Sequence, residues 1–312
     1  MAPIPRIIPS TISAIYKAYE DANKHYDGLG IPVGEAATEC DRALFFTLRW
    51  ASNPEQITGQ KQSIFDTGNI WEDRLVDDLI KIGVHVEGQQ DTIRLAAGHI
   101  RGKIDGRAVG LPEAPKTMHL MEFKSSKDDD FKKIRKNGCK IEKPLHFAQC
   151  QLGMHMFGLT RAGYMVVNKN DDDRHFERIE YDVEYCLRLI ARLERIIFAK
   201  NAPPKLCKDR DDFRGAFCKH KDVCFGVRMP RVTCRSCVHS SPTQHGNASW
   251  DCARFNKPLK VDDQKEACPA HLFLPSMLDG MEKIMVDEAN ETITYRKRNG
   301  AIWTDGAGKK GK

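Results

Sequence analysis

Apolar and polar positions change period several times along this chain. Residues 10–26 and 35–51 have helical spacing; Ser10 is a candidate N-cap for the first helix, and Gly28 and Gly30 lie past its end. Residues 64–82 read as a third amphipathic helix, with Ile64, Ile70, Trp71, Leu75, Leu79 and Ile80 grouped on one side. Short β-type runs follow: VHVEG, DTIRLAAG, HIRGKIDGRAVGL and TMHLMEFKS. Helical spacing returns over 143–158. Two further strands, RAGYMVVNKN and DRHFERIEYDV, precede a long helix over 183–200 that ends at the Pro pair of KNAPPKLC. This order predicts a mixed α/β domain around a central sheet. No internal repeat is present, and the low-complexity tail GAGKKGK is expected to be disordered.

Within this pattern HLMEFKSS stands out. Residues two apart in a strand share a face, so Glu122 and Lys124 point one way and Met121 and Phe123 the other. The neighbouring run RGKIDGRAVG carries Asp105 close to glycines, where the backbone can bend. Two carboxylates on adjacent strands, with a lysine beside them, suit a hard divalent cation such as Mg(II) or Mn(II). The lysine would hold or deprotonate an attacking water while the metal stabilises charge building on a phosphate. The plainer reading is a surface salt bridge, and Asp130-Phe131-Lys132 and Asp263-Gln264-Lys265 have the same shape in polar surroundings. An apolar strand, the Gly-flanked Asp105 and the upstream acid Glu72 in GNIWEDRL set Glu122 and Lys124 apart.

Composition adds two points. At 312 residues the chain has room for a domain of about 200 residues and a smaller one. A net charge of +6 suits a polyanion partner without demonstrating one. No stretch approaches the roughly 20 apolar residues that span a bilayer, and MAPIPRIIPSTISAIYKAYE lacks a signal peptide's apolar core. The expectation is a cytoplasmic protein without a membrane partner.

Eleven cysteines in that compartment point to metal ligands rather than disulfides. Cys234-x2-Cys237, then Cys252 and Cys268, is the arrangement of a structural zinc ribbon, with His271 a substitute ligand. A segment so poor in large apolar side chains needs such a staple. Arg231, Arg235, His239, Trp250, Arg254 and Lys257 around it make either a nucleic-acid grip with a stacking ring or an ordinary solvated face. The expected division is a main domain over 1–229, a zinc module over 230–275, and a partly disordered extension over 276–312.

Asp105 followed by Glu122-Phe123-Lys124 resembles the signature of the PD-(D/E)XK nuclease superfamily, over about residues 30–225. GNIWEDRL looks like that family's N-terminal helix, which places Glu72 at the metal site. KPLHFAQCQLGMHMFGL resembles the helix after the core strands in RecB-like exonucleases, with Gln149 in the glutamine position. That branch has tyrosine four residues later, where this chain has Gly153. The wording around MEFKSSKDDDFKKI looks most like bacteriophage and prophage members. The resemblance implies metal-dependent hydrolysis of the DNA backbone: Asp105 and Glu122 as metal ligands, Lys124 positioning the nucleophile, Glu72 completing the site. An exonuclease of recombination or DNA end processing is the leading expectation, with DNA and a recombination or single-strand-binding protein as partners. Alternatives are a non-cleaving DNA- or partner-binding protein, and a nicking or structure-specific endonuclease. Cys40 with Cys207, Cys218 and Cys224 resembles the ligand set of AddB-type iron–sulfur nucleases, whose four thiolates hold a 4Fe-4S cluster. The family's cysteine three residues before Cys218 is Gly215 here. Zinc on the same thiolates, or no metal at all, are the other readings.

Overall fold

The computed structural model describes residues 9–23 and 27–306. Helix α1 (Ser10–Ala22) has Pro9 rather than Ser10 at its cap position, without a side-chain capping bond. Residues 24–26 of the expected first helix lie outside the described residues. Strand β1 (Ile31–Pro32) leads into a single 3-10 turn at Val33–Glu35. Helix α2 is confined to Asp41–Leu48, because Cys40 is extended (φ −83°, ψ 104°) and Trp50 is left-handed (φ 50°). Helix α3 (Gly59–Lys81) starts where the Thr58 hydroxyl accepts the Lys61 N–H. Its expected apolar side holds only in the last turns. Leu75, Val76 and Leu79 are buried, but Ile64, Ile70 and Ile80 are exposed, because only the C-terminal half crosses a sheet.

Four short strands follow: β2 (His85–Glu87), β3 (Thr92–Leu95), β4 (Ile100–Lys103) and β5 (Gly106–Val109). The single run expected over HIRGKIDGRAVGL is therefore two strands, and they belong to different sheets. Strand β4 lies between β1 and β3; β5 joins a five-stranded sheet ordered β2-β5-β6-β7-β8, with β6 (His119–Ser126), β7 (Arg161–Asn168) and β8 (Arg174–Glu180). Only β6 and β7 pair in parallel there, with Glu122 opposite Tyr164 and Lys124 opposite Val166. Parallel strands need a crossover, supplied by α4 (Asp128–Asn137), α5 (Cys139–Glu142) and α6 (Pro144–Phe157). Helix α4 was not foreseen. Three aspartates in its first turn and Arg135 and Lys136 in its last suit the helix dipole, and Phe131 and Ile134 anchor it.

Met121 and Phe123 bury one face of the sheet against Leu75, Val76 and Leu79. Leu120, Tyr164 and Val166 bury the other in a larger core with α2, α6 and α7 (Val183–Ile197). Beyond α7 come α8 (Lys221–Cys224), the small sheet of β9 (Ser240–Pro242), β10 (Trp250–Cys252) and β11 (Lys257–Leu259), and α9 (Val261–Lys265). Trp250, Cys252, Leu259 and Leu274 belong to the larger core, so residues 230–275 do not stand apart from the main domain. Regular structure continues past 275. An antiparallel sheet of β12 (Met281–Asp287), β13 (Thr292–Lys297) and β14 (Ile302–Asp305) packs Ile293 and Tyr295 on Leu272, Phe273 and Leu278. Residues 307–312, most of the tail, lie outside the described residues.

The close seating of α6 on β6 accounts for Gly153. A Cβ there would stand 2.7 Å from Leu120 Cδ2 and 3.6 Å from Ile104 Cγ2. Gly153→Tyr should therefore destabilise the fold by about 1–3 kcal/mol or more, the usual range for overpacking a core. An unchanged or raised urea midpoint would show that α6 leaves room for the ring.

Candidate active site

The corner between β4 and β5 positions the first acid. Strand β4 packs so closely on the turn at Val33–Glu35 that a Cβ at Gly102 would stand 2.8 Å from Val33 Cβ. From that corner the Asp105 carboxylate accepts the backbone N–H of Phe123 at 2.6 Å. Glu122, 1% exposed, and Lys124 extend from β6 on the same face. The Lys124 ammonium contacts the Glu122 carboxylate, lies 3.8 Å from Asp105 Oδ2, and donates to the Phe123 carbonyl at 3.0 Å. Glu72 approaches from α3. Its Oε1 accepts a hydrogen bond from Gln90 Nε2 at 2.8 Å. Gln90 itself is left-handed (φ 63°) and donates its N–H to the Ile104 carbonyl, beside Asp105. Nothing in the residue pattern marks Gln90 beyond its place in a polar turn.

Burial and mutual repulsion set the electrostatics. Burial pushes the Glu122 carboxyl up to about 8, with Asp105 and Glu72 acting in the same direction against the pull of Lys124. Burial draws Lys124 down, but Glu122 and then Asp105 outweigh it, so the ammonium is held above the ordinary lysine range. Burial, then Asp105, raises Glu72. The three acids thus crowd one locus, and the cation they share in this structure is Lys124.

Beside them opens a cavity of about 270 Å³, whose lining includes Lys124, Lys127, Lys143, Lys169, His146 and Ser126. Burial, then Lys124 and Lys143, pushes His146 down to about 3, so the ring is neutral; its Nδ1 meets Tyr164 Oη at 2.8 Å. Gln149 lies on the same helix, but no hydrogen bond joins it to Asp105, Glu122 or Lys124. Its amide oxygen is 3.7 Å from where a Cβ on Gly34 would stand.

Cys40 stands at the start of α2, and Cys207, Cys218 and Cys224 lie in the segment after α7. Burial raises the Cys207 and Cys224 thiols above their ordinary range, and the proximity of Cys40 and Cys218 acts in the same direction. A Cβ on Gly215 would lie 2.9 Å from Cys207 Sγ, so this sulfur fills the space a side chain at 215 would take. Cys234, Cys237, Cys252 and Cys268 line one void of about 10 Å³, with His239 and His271 at its edge. Among the described residues, no group of three or more His, Cys, Asp or Glu side chains could, as they stand, hold a metal ion. Of the basic and aromatic residues around the second group, Arg235 and Trp250 are fully buried, Arg231 pairs with Asp27, and Arg254 pairs with Glu291. Among the described residues no helix is long and apolar enough to cross a membrane.

No family model matches the chain, and no curated protein matches it. Among solved structures it is similar to an alkaline exonuclease (LHK-Exo) from Laribacter hongkongensis, with 15% identity, a TM-score of 0.41, and coverage of 59% of this chain and 90% of that one. The same enzyme in complex with dAMP matches with a TM-score of 0.39 at 15% identity, with the same coverage of both chains. A protein described as SSO0001 matches at 14% identity and a TM-score of 0.41, covering 69% of this chain and 96% of its own.

The raised Glu122 carboxyl has a consequence for stability. The folded chain holds that proton more tightly than the unfolded one, whose carboxyl titrates near 4.5. Its contribution is therefore complete below that pH and is lost as pH rises through about 8. Without added divalent ions, unfolding temperature should fall across this window, and Glu122→Gln should flatten the decline. An equally steep decline in Glu122→Gln would assign the effect to other groups.

Proposed function

We propose that the chain is a metal-dependent DNA nuclease of PD-(D/E)XK type, an exonuclease acting in recombination or end processing. One observation carries the reading: Asp105, Glu122 and Lys124 meet at the β4–β5 corner, with Glu72 held behind them by Gln90. Oxygen ligands on two strands and a helix suit a hard cation, so Asp105 and Glu122, with Glu72, are the residues that would hold Mg(II) or Mn(II). When bound, that ion supplies Lewis-acid stabilisation of a phosphate and acidifies a water. Lys124, protonated, donates towards the water or a phosphate oxygen. Lys127, Lys143 and Lys169 border the adjoining cavity and give the sugar–phosphate backbone a cationic track. A non-cleaving DNA-binding protein is the second reading, favoured by the seating of Lys124 on Glu122 and by the absence of any hydrogen bond from Gln149 to the acids.

We assign Cys40, Cys207, Cys218 and Cys224 to an iron–sulfur cluster. The reading is supported by Cys207 Sγ, which lies 2.9 Å from where a Cβ on Gly215 would stand, beside the position of the cysteine absent there. Thiolates are the ligands such clusters require.

Three outcomes test these assignments. Purified protein with Mn(II) should shorten end-labelled linear DNA and leave closed circles intact; nicked circles would make it an endonuclease. Asp105→Ala and Glu122→Ala should abolish cleavage in folded protein, and Lys124→Ala should slow it roughly 10²–10⁴-fold, as expected for loss of a proton-handling group. Full activity in Glu122→Ala would leave the binding-protein reading. For the cysteines, Cys207→Ser should lose iron and visible absorption, and adding Gly215→Cys to that variant should restore both. An anaerobic wild-type preparation without iron would remove the cluster.

A further inference from the structure

The cysteines at 234, 237, 252 and 268 take on a second meaning from two arginines that no carboxylate neutralises. Cys234–Ser236 is a tight 3-10 turn whose Ser236 hydroxyl accepts the Thr233 N–H at 3.1 Å. Its cysteines face the void, and Arg235 between them is fully buried against the main domain. The Arg235 guanidinium stacks 3.9 Å from the Trp50 ring and 4.8 Å from Trp250. It donates to Gln264 Oε1 at 2.8 Å and to the carbonyls of Leu48 and Leu29 at 2.9 and 3.1 Å. Arg49, 3% exposed, donates to the Arg235 carbonyl at 2.9 Å and lies over Phe45 and Trp250.

Every one of these acceptors is neutral. The carboxylate whose charge reaches Arg235, Asp27, is paired with Arg231 at 2.6 Å. Arg235 Nη2 and Arg49 Nε are buried with no hydrogen-bond partner among the described residues. Burying two cations without an anion is costly enough that such groups are paired in folded proteins. Four neutral thiols supply no anion. Four thiolates around one divalent ion carry a net charge of −2, matching the two guanidinium groups, and the void admits one sphere of about water size. His271 is the weaker candidate ligand, because its Nε2 lies 3.2 Å from the Ser236 hydroxyl.

We infer that Cys234, Cys237, Cys252 and Cys268 bind one Zn(II) as a tetrathiolate whose negative charge is the counter-ion of Arg49 and Arg235. The metal then locks residues 230–275 onto the end of α2 and does not serve a free-standing module. Soft thiolates select zinc over Mg(II) or Mn(II), so this ion is distinct from the one proposed at Asp105 and Glu122.

The test uses the full chain, with zinc measured by elemental analysis after dialysis and affinity by chelator competition. One zinc per chain is expected; Cys207→Ser should keep it and Cys237→Ser should lose it. Arg235→Gln should weaken zinc binding roughly 10–100-fold, the range for groups that support metal ligands, and move zinc uptake to higher pH. Arg235→Lys, which keeps the charge, should recover most of the affinity. A wild-type arm covers variants that fail to fold: stripping zinc from the intact protein should red-shift tryptophan emission as Trp50 and Trp250 lose their packing, and returning zinc should reverse it. Wild-type protein that takes up no zinc, zinc that survives Cys237→Ser, unaltered affinity in Arg235→Gln, or tryptophan emission indifferent to zinc would each overturn the lock.

Discussion

The Phe123 N–H donates to the Asp105 carboxylate at 2.6 Å, and the arrangement of the candidate site follows from that bond. Strands β5 and β6 pair only as far as Gly106 opposite Met121. Past that point the chain before Gly106 has left for the other sheet, while β6 continues to Ser126 with β7 alone. The edge of β6 would then present an unpaired N–H at Phe123, which is costly in a half-buried place. Asp105 supplies the missing acceptor. The same departure of β5 that creates the need also opens one side of β6 at Glu122 and Lys124. A sheet paired on both edges along its full length would have closed that approach.

Holding three acids at one point works against stability, and the fold tolerates it through particular contacts. Glu122 has its charge opposed by Lys124, with Cys150 buried nearby. Glu72 is fixed by Gln90, whose left-handed backbone is itself a strained choice for a residue with a Cβ. Strain and like-charge crowding at one locus, in a domain whose other buried positions are mostly apolar, is the pattern of a site kept for chemistry rather than for folding.

How legible this was from sequence depended on how local each signal is. Strand alternation put Glu122 and Lys124 on one face because the period-two rule needs no distant information, and β6 carries them so. The glycines around Asp105 announced a bend, but not that the bend divides two sheets. Helix α3 was foreseen as a helix, yet Ile64, Ile70 and Ile80 are exposed, since its periodicity does not say which half will meet the sheet. Gln90 was invisible because it reaches Glu72 across 18 residues of chain. The spacing shows no cysteine at 215, but not that the loop from 207 to 215 folds back and sets Cys207 Sγ 2.9 Å from where a Cβ on Gly215 would stand. The basic and aromatic cluster at 231–257 suggested a surface, but Arg235 and Trp250 are interior because α2 and Trp50 cover them.

Helix α2 connects these findings. Cys40 stands at its N-terminal cap, where the first cysteine group gathers. Its Arg42 donates to the carbonyls of Pro203 and Ser276, both from the chain's second half, at 2.9 Å. Just past its other end, Arg49 donates to Arg235 inside the second cysteine group. A helix of eight residues is too short to persist alone in water, so its position depends on these clasps and on the core it enters through Leu44, Phe45, Phe46 and Leu48. That core also contains Ala148, Cys150 and Leu152 of α6 and Leu120 of β6, beside Glu122. The contacts at both ends of α2 thus help fix the framework against which β6 is seated.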